Sequence, residues 1–223
     1  MDLSYGRLNG CIAASLISVL TESVMRYKFP KSHAGLKVGL FGGSFDPAHD
    51  GHLNVCLHAL KRFNLDQIWL LISVQNPLKD KNPSSLDKRV NHAKRVFQHP
   101  KIKVTKIEAL LDTHFTYHTL LTLKQLYPST QFTWIMGADN LATVHLWEEW
   151  EMIFSLMPVG VLARPRQGLL ALRSPAARKF ASYQIVQKDS QRLSSMDAPA
   201  WCYINLPMSR TSSSEIRSIG LWS

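Results

Sequence analysis

The chain has 223 residues, 45% of them hydrophobic, which suits one large α/β domain rather than two. Lys and Arg number 26 against 16 Asp and Glu, a formal charge of +10, which suits anionic partners, whether nucleotides or nucleic acid. Three widely spaced cysteines, Cys11, Cys56 and Cys202, form no C-x-x-C pair, which argues against a disulfide scaffold and for reduced thiols in the cytoplasm. No apolar run reaches 18 residues, so no transmembrane helix is predicted and no membrane is expected as a partner. There is no internal repeat.

Residues 1–36 precede the first predicted strand and read as an N-terminal extension, with the domain proper over 37–223. Ile12–Arg26 could form one amphipathic helix; otherwise the extension is disordered. Cys11–Leu20 is apolar, but no small-residue cleavage site of a signal peptide follows it. Met25 is an alternative start.

The central stretch is Lys37–His52, KVGLFGGSFDPAHDGH. An apolar strand over Val38–Phe41 runs into two glycines, a polar turn and a helix start, the layout of a phosphate site in an α/β sheet. It matches neither G-x-x-x-x-G-K-[ST] nor G-x-G-x-x-G. Gly42 and Gly43 would let the backbone approach a ligand, and Pro47 would shape the turn. His49 and His52, three apart, face the same way at a helix start. Two imidazoles beside helix N–H groups would form a cationic pocket for a triphosphate, where charge moves onto the leaving pyrophosphate. Either histidine alone also reads as a surface group on an ordinary βα turn.

Gly42-Gly43-Ser44-Phe45-Asp46-Pro47-Ala48-His49-Asp50-Gly51-His52 resembles the G-G-[ST]-F-D-P-x-H-x-G-H signature of nucleotidylyltransferases with the H-x-G-H motif, and within them the bacterial nicotinate-nucleotide adenylyltransferases. The resemblance implies transfer of AMP from ATP to nicotinate mononucleotide, giving deamido-NAD and pyrophosphate in NAD biosynthesis. It implies that His49 and His52 are catalytic and that Gly42, Gly43, Ser44 and Phe45 line the ATP phosphates. Mg²⁺ would bridge phosphate oxygens and keep most of its waters, without a dedicated protein cage. Asp46 is at best a metal candidate and otherwise shapes the turn.

Further along, His52–Phe63 is predicted as a helix with Leu53, Leu57 and Leu60 at helical spacing. Ile68–Ser73, IWLLIS, reads as a strand buried on both faces. It runs into VQNPLKDK, where Lys79 fits the family's N-P-x-K pattern and implies a cation near the phosphates; a solvated loop lysine is the alternative. Leu86–Phe97 is predicted as a basic helix and Lys101–Lys106 as a strand. Lys79 to Lys106 holds nine Lys or Arg against two Asp, but only Phe97 is aromatic, so base stacking is unsupported. The stretch reads as a solvated basic face, and no nucleic-acid partner is expected.

His114–Leu123 begins the next helix. HFTYHTL resembles the family's x-Y-T-x-x-T-L with Phe115 in place of Tyr, which implies that Thr116 contacts the nicotinate carboxylate; an ordinary helix cap accounts for it equally. Phe132–Met136 is a strand that delivers Gly137-Ala138-Asp139-Asn140-Leu141, similar to the family's G-x-D-[NS]-L. Asp139 could accept from a ribose hydroxyl, and Trp147 could stack on a pyridine ring; Trp147 and Trp150 could instead pack on one helix face. Val159–Ala163 is a strand ending in Arg164-Pro165-Arg166, where the family often has R-P, so Arg164 suits either a phosphate or a basic turn. Leu169–Ser182 is predicted helical, Tyr183–Val186 and Ala200–Leu206 as strands, and Asp189–Pro199 as a loop. Finally, Thr211-Ser212-Ser213-Ser214-Glu215-Ile216-Arg217 resembles I-S-[SA]-T-x-[IL]-R, which implies that Ser213, Ser214 and Arg217 complete the ATP site. The same residues would also cap an ordinary C-terminal helix.

The fold expected is α/β, a single doubly wound and mainly parallel Rossmann-like sheet, with the site along the carboxyl edge. Related transferases for phosphopantetheine or CTP-dependent alcohol phosphates are the competing enzyme readings, and a basic nucleic-acid module the competing non-enzyme one. Oligomeric state and the choice between nicotinate and nicotinamide mononucleotide stay open.

Overall fold

The computed structural model describes residues 29–74, 83–163 and 168–206. The chain divides into two compact units, Met1–Lys31 and Ser32–Ser223, and every element below lies in the second. Among the described residues seven strands build one sheet: β1 Lys37–Gly43, β2 Gln67–Ile72, β3 Ile102–Thr105, β4 Gln131–Gly137, β5 Val159–Ala163, β6 Gln184–Ile185 and β7 Trp201–Asn205. Their spatial order is β3-β2-β1-β4-β5-β7-β6, and every pairing is parallel.

Parallel strands need covering on both faces, which is why β1 and β2 are apolar without alternation. Leu40, Trp69, Leu71 and Trp134 point to one side and Phe41, Ile68, Leu70, Ile72 and Ile135 to the other, and all are buried. The second side is covered by α1 Asp50–Arg62 and α2 Leu86–Val96. They deliver Val55, Cys56, Ala59, Phe63, Val90 and Ala93 to one cluster with those strand residues. On the opposite side Trp69 meets Tyr127 and Phe132 edge-on at 5.1 and 5.7 Å. Tyr127 ends α4 Thr116–Leu126, which follows the short α3 Ile107–Leu111. The remaining helices are α5 Ala138–Thr143, α6 Trp150–Leu156, α7 Gly168–Leu172 and α8 Pro175–Lys179. None of the described helices is long and apolar enough to cross a membrane.

Chain order fixes where a ligand can sit. The chain steps outward from β1 to β2 to β3, then crosses back to place β4 on the other side of β1. Phe41 pairs with Ile135, so the glycine ends of β1 and β4 emerge side by side. The loops after β1 and β4 leave in opposite directions there and open a crevice, the topological switch point of a doubly wound sheet.

Several local expectations shift. The first helix starts at Asp50, because His49 caps it. Its buried stripe runs through Val55, Cys56 and Ala59, while Leu57 is 39% exposed; the small residues let α1 lie close to the sheet. The helix expected over Leu169–Ser182 is two helices, since Ser174 accepts the Ala177 N–H and Pro175 opens a new N-terminus. The strand expected over Tyr183–Val186 shrinks to Gln184–Ile185, and the Asp189–Pro199 loop holds 3₁₀ turns within Gln187–Ser195. Trp147 and Trp150 do not share a helix face: Trp147 ends a 3₁₀ turn, and Trp150 starts α6 against Phe154 and Phe180.

Candidate active site

β1 ends at Gly42-Gly43. At Gly42 a Cβ would collide with the Trp134 indole, so this glycine serves the packing of β1 on β4, a role the sequence reading did not assign. Gly43 is half-buried, and its carbonyl accepts the Ser73 N–H at 3.0 Å. Ser44 is half-buried. Phe45 follows with φ 44, in the left-handed region that bulky residues avoid. Its ring is 2% exposed and packs edge-on against Phe41 at 5.4 Å, His52 at 5.1 Å and Phe97 at 5.9 Å. Those three contacts hold the strained backbone in place. Phe45 therefore has only its backbone to offer a phosphate.

His49 is buried and is the N-cap of α1; its Nδ1 accepts the Gly51 N–H at 3.0 Å. With Nδ1 accepting, the ring proton sits on Nε2, an assignment made from the hydrogen bond. His52 lies one turn on, its ring centroid 3.8 Å from that of His49 and tilted by 34°. The i, i+3 expectation holds. The cationic pocket needs revision, because a proton on Nδ1 would break the cap. Two positive rings this close would also repel by about 4 kcal/mol at an effective dielectric of 20. An anion placed between the rings and the helix N–H groups removes that cost. His92 steadies the turn from α2 through Nε2 and the Ala48 carbonyl at 2.9 Å.

Gly137 at the end of β4 is the N-cap of α5. A Cβ there would strike the Asp139 carboxylate, which folds back over it. Asp139 is exposed beside the switch point. Thr116 opens α4 and is half-buried; Phe115, the N-cap, contributes no side-chain hydrogen bond to the helix start. Trp147 is half-buried where the chain turns toward α6. By connectivity Thr116, Asp139 and Trp147 precede segments that run back from the carboxyl edge, the edge that carries His49 and His52. Lys79, Arg164, Ser213, Ser214 and Arg217 lie outside the described residues.

The sequence reading missed a buried polar cluster behind the turn. Arg89 is fully buried, against the expectation of a solvated basic face. It donates to the carbonyls of Ser84 at 2.7 Å, Ser44 at 2.9 Å, Ser73 at 2.7 Å and Val74 at 3.1 Å. Burial works against its charge, and Asp46 and Glu108 offset that. Glu108 is buried too, and desolvation pushes its carboxyl up to about 7 despite the Val74 N–H and Arg89 pulling the other way. The missed signal was position: Arg89 falls in the stripe of Leu86, Val90 and Ala93, which faces the core.

A family model described as Cytidylyltransferase-like matches residues 40–219. A protein of Roseobacter denitrificans named probable nicotinate-nucleotide adenylyltransferase is 51% identical over 198 residues, 89% of this chain and 100% of that protein. Ones of the same name from Ruegeria pomeroyi and Rhizobium meliloti are 48% and 41% identical, over 89% and 82% of this chain and 93% and 98% of theirs. Among solved structures, the Plasmodium falciparum nicotinic acid mononucleotide adenylyltransferase complexed with NaAD superposes with a TM-score of 0.59 at 21% identity, covering 83% of each chain. The same enzyme complexed with APC gives 0.56 at 20%, again over 83% of each chain. At those identities the likeness is one of fold, while the bacterial relatives carry the family assignment. The chain belongs to the cytidylyltransferase-like family, in its nicotinate-nucleotide adenylyltransferase branch.

Proposed function

We infer that this enzyme transfers AMP from ATP to nicotinate mononucleotide, releasing pyrophosphate and forming deamido-NAD. The observation that carries the reading is the close pair of rings His49 and His52 at the start of α1, beside the glycine end of β1 at the switch point. The names of the bacterial relatives supply the substrates.

A mononucleotide phosphate oxygen attacks the α-phosphorus of ATP in line with the departing pyrophosphate. One P–O bond forms as the bond to the bridging oxygen breaks, and the electron pair leaves with pyrophosphate. No protein atom is modified, so catalysis is positioning and charge stabilisation. His49 donates from Nε2 to a phosphate oxygen while Nδ1 keeps the helix capped. His52 serves the same phosphates from one turn further in, with its ring held by Phe45. The backbone of Gly43–Phe45 and the α1 N-terminus cradle the tail. Lys79, Ser213, Ser214 and Arg217 complete the phosphate site, and Arg164 contacts the mononucleotide phosphate.

Thr116, at an N-terminus without a side-chain cap, receives the nicotinate carboxylate. Asp139 accepts from a ribose hydroxyl, and Trp147 stacks on the pyridine. Mg²⁺ neutralises phosphate charge when bound. Cys56 and Cys202 are buried free thiols among the described residues.

A panel of ATP or CTP against nicotinate mononucleotide, nicotinamide mononucleotide and phosphopantetheine tests the reading. Pyrophosphate release fastest with ATP and nicotinate mononucleotide is expected. Preference for CTP or phosphopantetheine overturns it.

A further inference from the structure

Arg89 has a geometry that a solvent-facing basic helix does not need. Its planar fork has five N–H donors, and among the described residues it makes four bonds, all to backbone carbonyls, on three chain segments. Ser44 belongs to the turn between β1 and His49, Ser73 and Val74 to the exit of β2, and Ser84 to the approach to α2. Three of these residues are held a second time. Ser73 donates its N–H to Gly43, Val74 donates its N–H to Glu108, and Ser84 donates its N–H to Asp46 at 3.2 Å. The two acidic partners also compensate the guanidinium. Every tie lies at the carboxyl edge, behind the turn that ends in His49.

We propose that Arg89 is a positioning residue for nucleotidyl transfer, its guanidinium locking the Ser44 turn to the exit of β2 and the approach to α2 so that His49 and His52 stand in register with the phosphates. The proposal rests on the function inferred above. Lysine cannot replace the fork: an ammonium is a compact charge with three donors and cannot reach carbonyls spread in one plane. The half-buried carbonyls it abandons would lose their donor, so the turn would shift to satisfy them. A shift near 1 Å in a group that orients reacting atoms costs about a hundredfold in rate.

The test is Arg89→Lys in the full-length protein, assayed with ATP and nicotinate mononucleotide and followed by circular dichroism. Trp201→Phe serves as control; it removes a buried bond from Nε1 to the Phe180 carbonyl at 2.8 Å, away from the turn. The proposal expects Arg89→Lys to lose about a hundredfold in kcat, with KM for ATP within about threefold, while Trp201→Phe melts earlier and keeps kcat. An unchanged kcat per folded molecule overturns the role. If Arg89→Lys does not fold alone, trimethylamine N-oxide is added to restore the fold. A kcat that stays low then supports positioning, and one that returns to normal overturns it. Loss of activity in the unchanged protein would overturn the function itself, and this inference with it.

Discussion

Nδ1 of His49 caps α1 through the Gly51 N–H, and in the function proposed above Nε2 carries the proton toward the ligand. The two roles separate by substitution. His49→Asn keeps an N-cap acceptor, so its urea midpoint should stay near that of the parent while pyrophosphate release falls. His49→Ala should lose activity and also about 1 kcal/mol of stability. A fully active His49→Asn would remove the imidazole from the chemistry. Glu108 gives a second residue-scale expectation. Its carboxyl sits at about 7 in the fold, against an ordinary 4.5, chiefly because it is buried. The folded state therefore holds that proton more tightly than the unfolded chain. The associated stability is complete below pH 4.5 and is lost as pH rises through about 7, an effect on the order of 3 kcal/mol. Glu108→Gln keeps an acceptor for the Val74 N–H and cannot titrate. Urea unfolding from pH 4.5 to 8 should show a shallower decline for the variant; parallel curves would contradict the assignment.

Among the elements, the β1–β4 contact matters most, since it sets the crevice. Gly42 leaves room for the Trp134 indole, a buried ring with no slack around it. Gly42→Ala should cost about 1–3 kcal/mol by overpacking, seen as a lower midpoint in thermal unfolding. Trp134→Phe in the same chain should recover part of that loss. Failure of the double variant to recover would mean that the glycine is needed for something other than this ring. Element types were largely legible, because hydrophobic runs of five or six residues bounded by glycine and polar turns fit only buried strands. Boundaries were less so. Leu57 looked like core, yet the smaller Val55, Cys56 and Ala59 take the buried face. The break at Ser174-Pro175 was written in a recognisable cap and lay hidden under the helical composition around it.

At the scale of the molecule, the doubly wound parallel sheet followed from alternating strand and helix patterns, and the His49–His52 turn from one contiguous string. The burial of Arg89 was legible in its place on the Leu86, Val90 and Ala93 stripe, but its partners were not, because they lie up to 45 residues away in sequence. Sequence likewise could not separate packing from ligand approach at Gly42, since both ask for a missing Cβ. Topology resolves such cases by bringing β1 beside β4 and opening the site between their ends. The proposed chemistry rests on the two imidazoles, 3.8 Å apart and tilted by 34°, at that opening. The most direct measurement is pyrophosphate release from ATP and nicotinate mononucleotide by the parent and by folded His52→Ala. The parent should release pyrophosphate one for one with deamido-NAD, and the variant about 100- to 1,000-fold more slowly. Equal rates, or no release by the parent, would contradict the assignment of this turn as the site of adenylyl transfer.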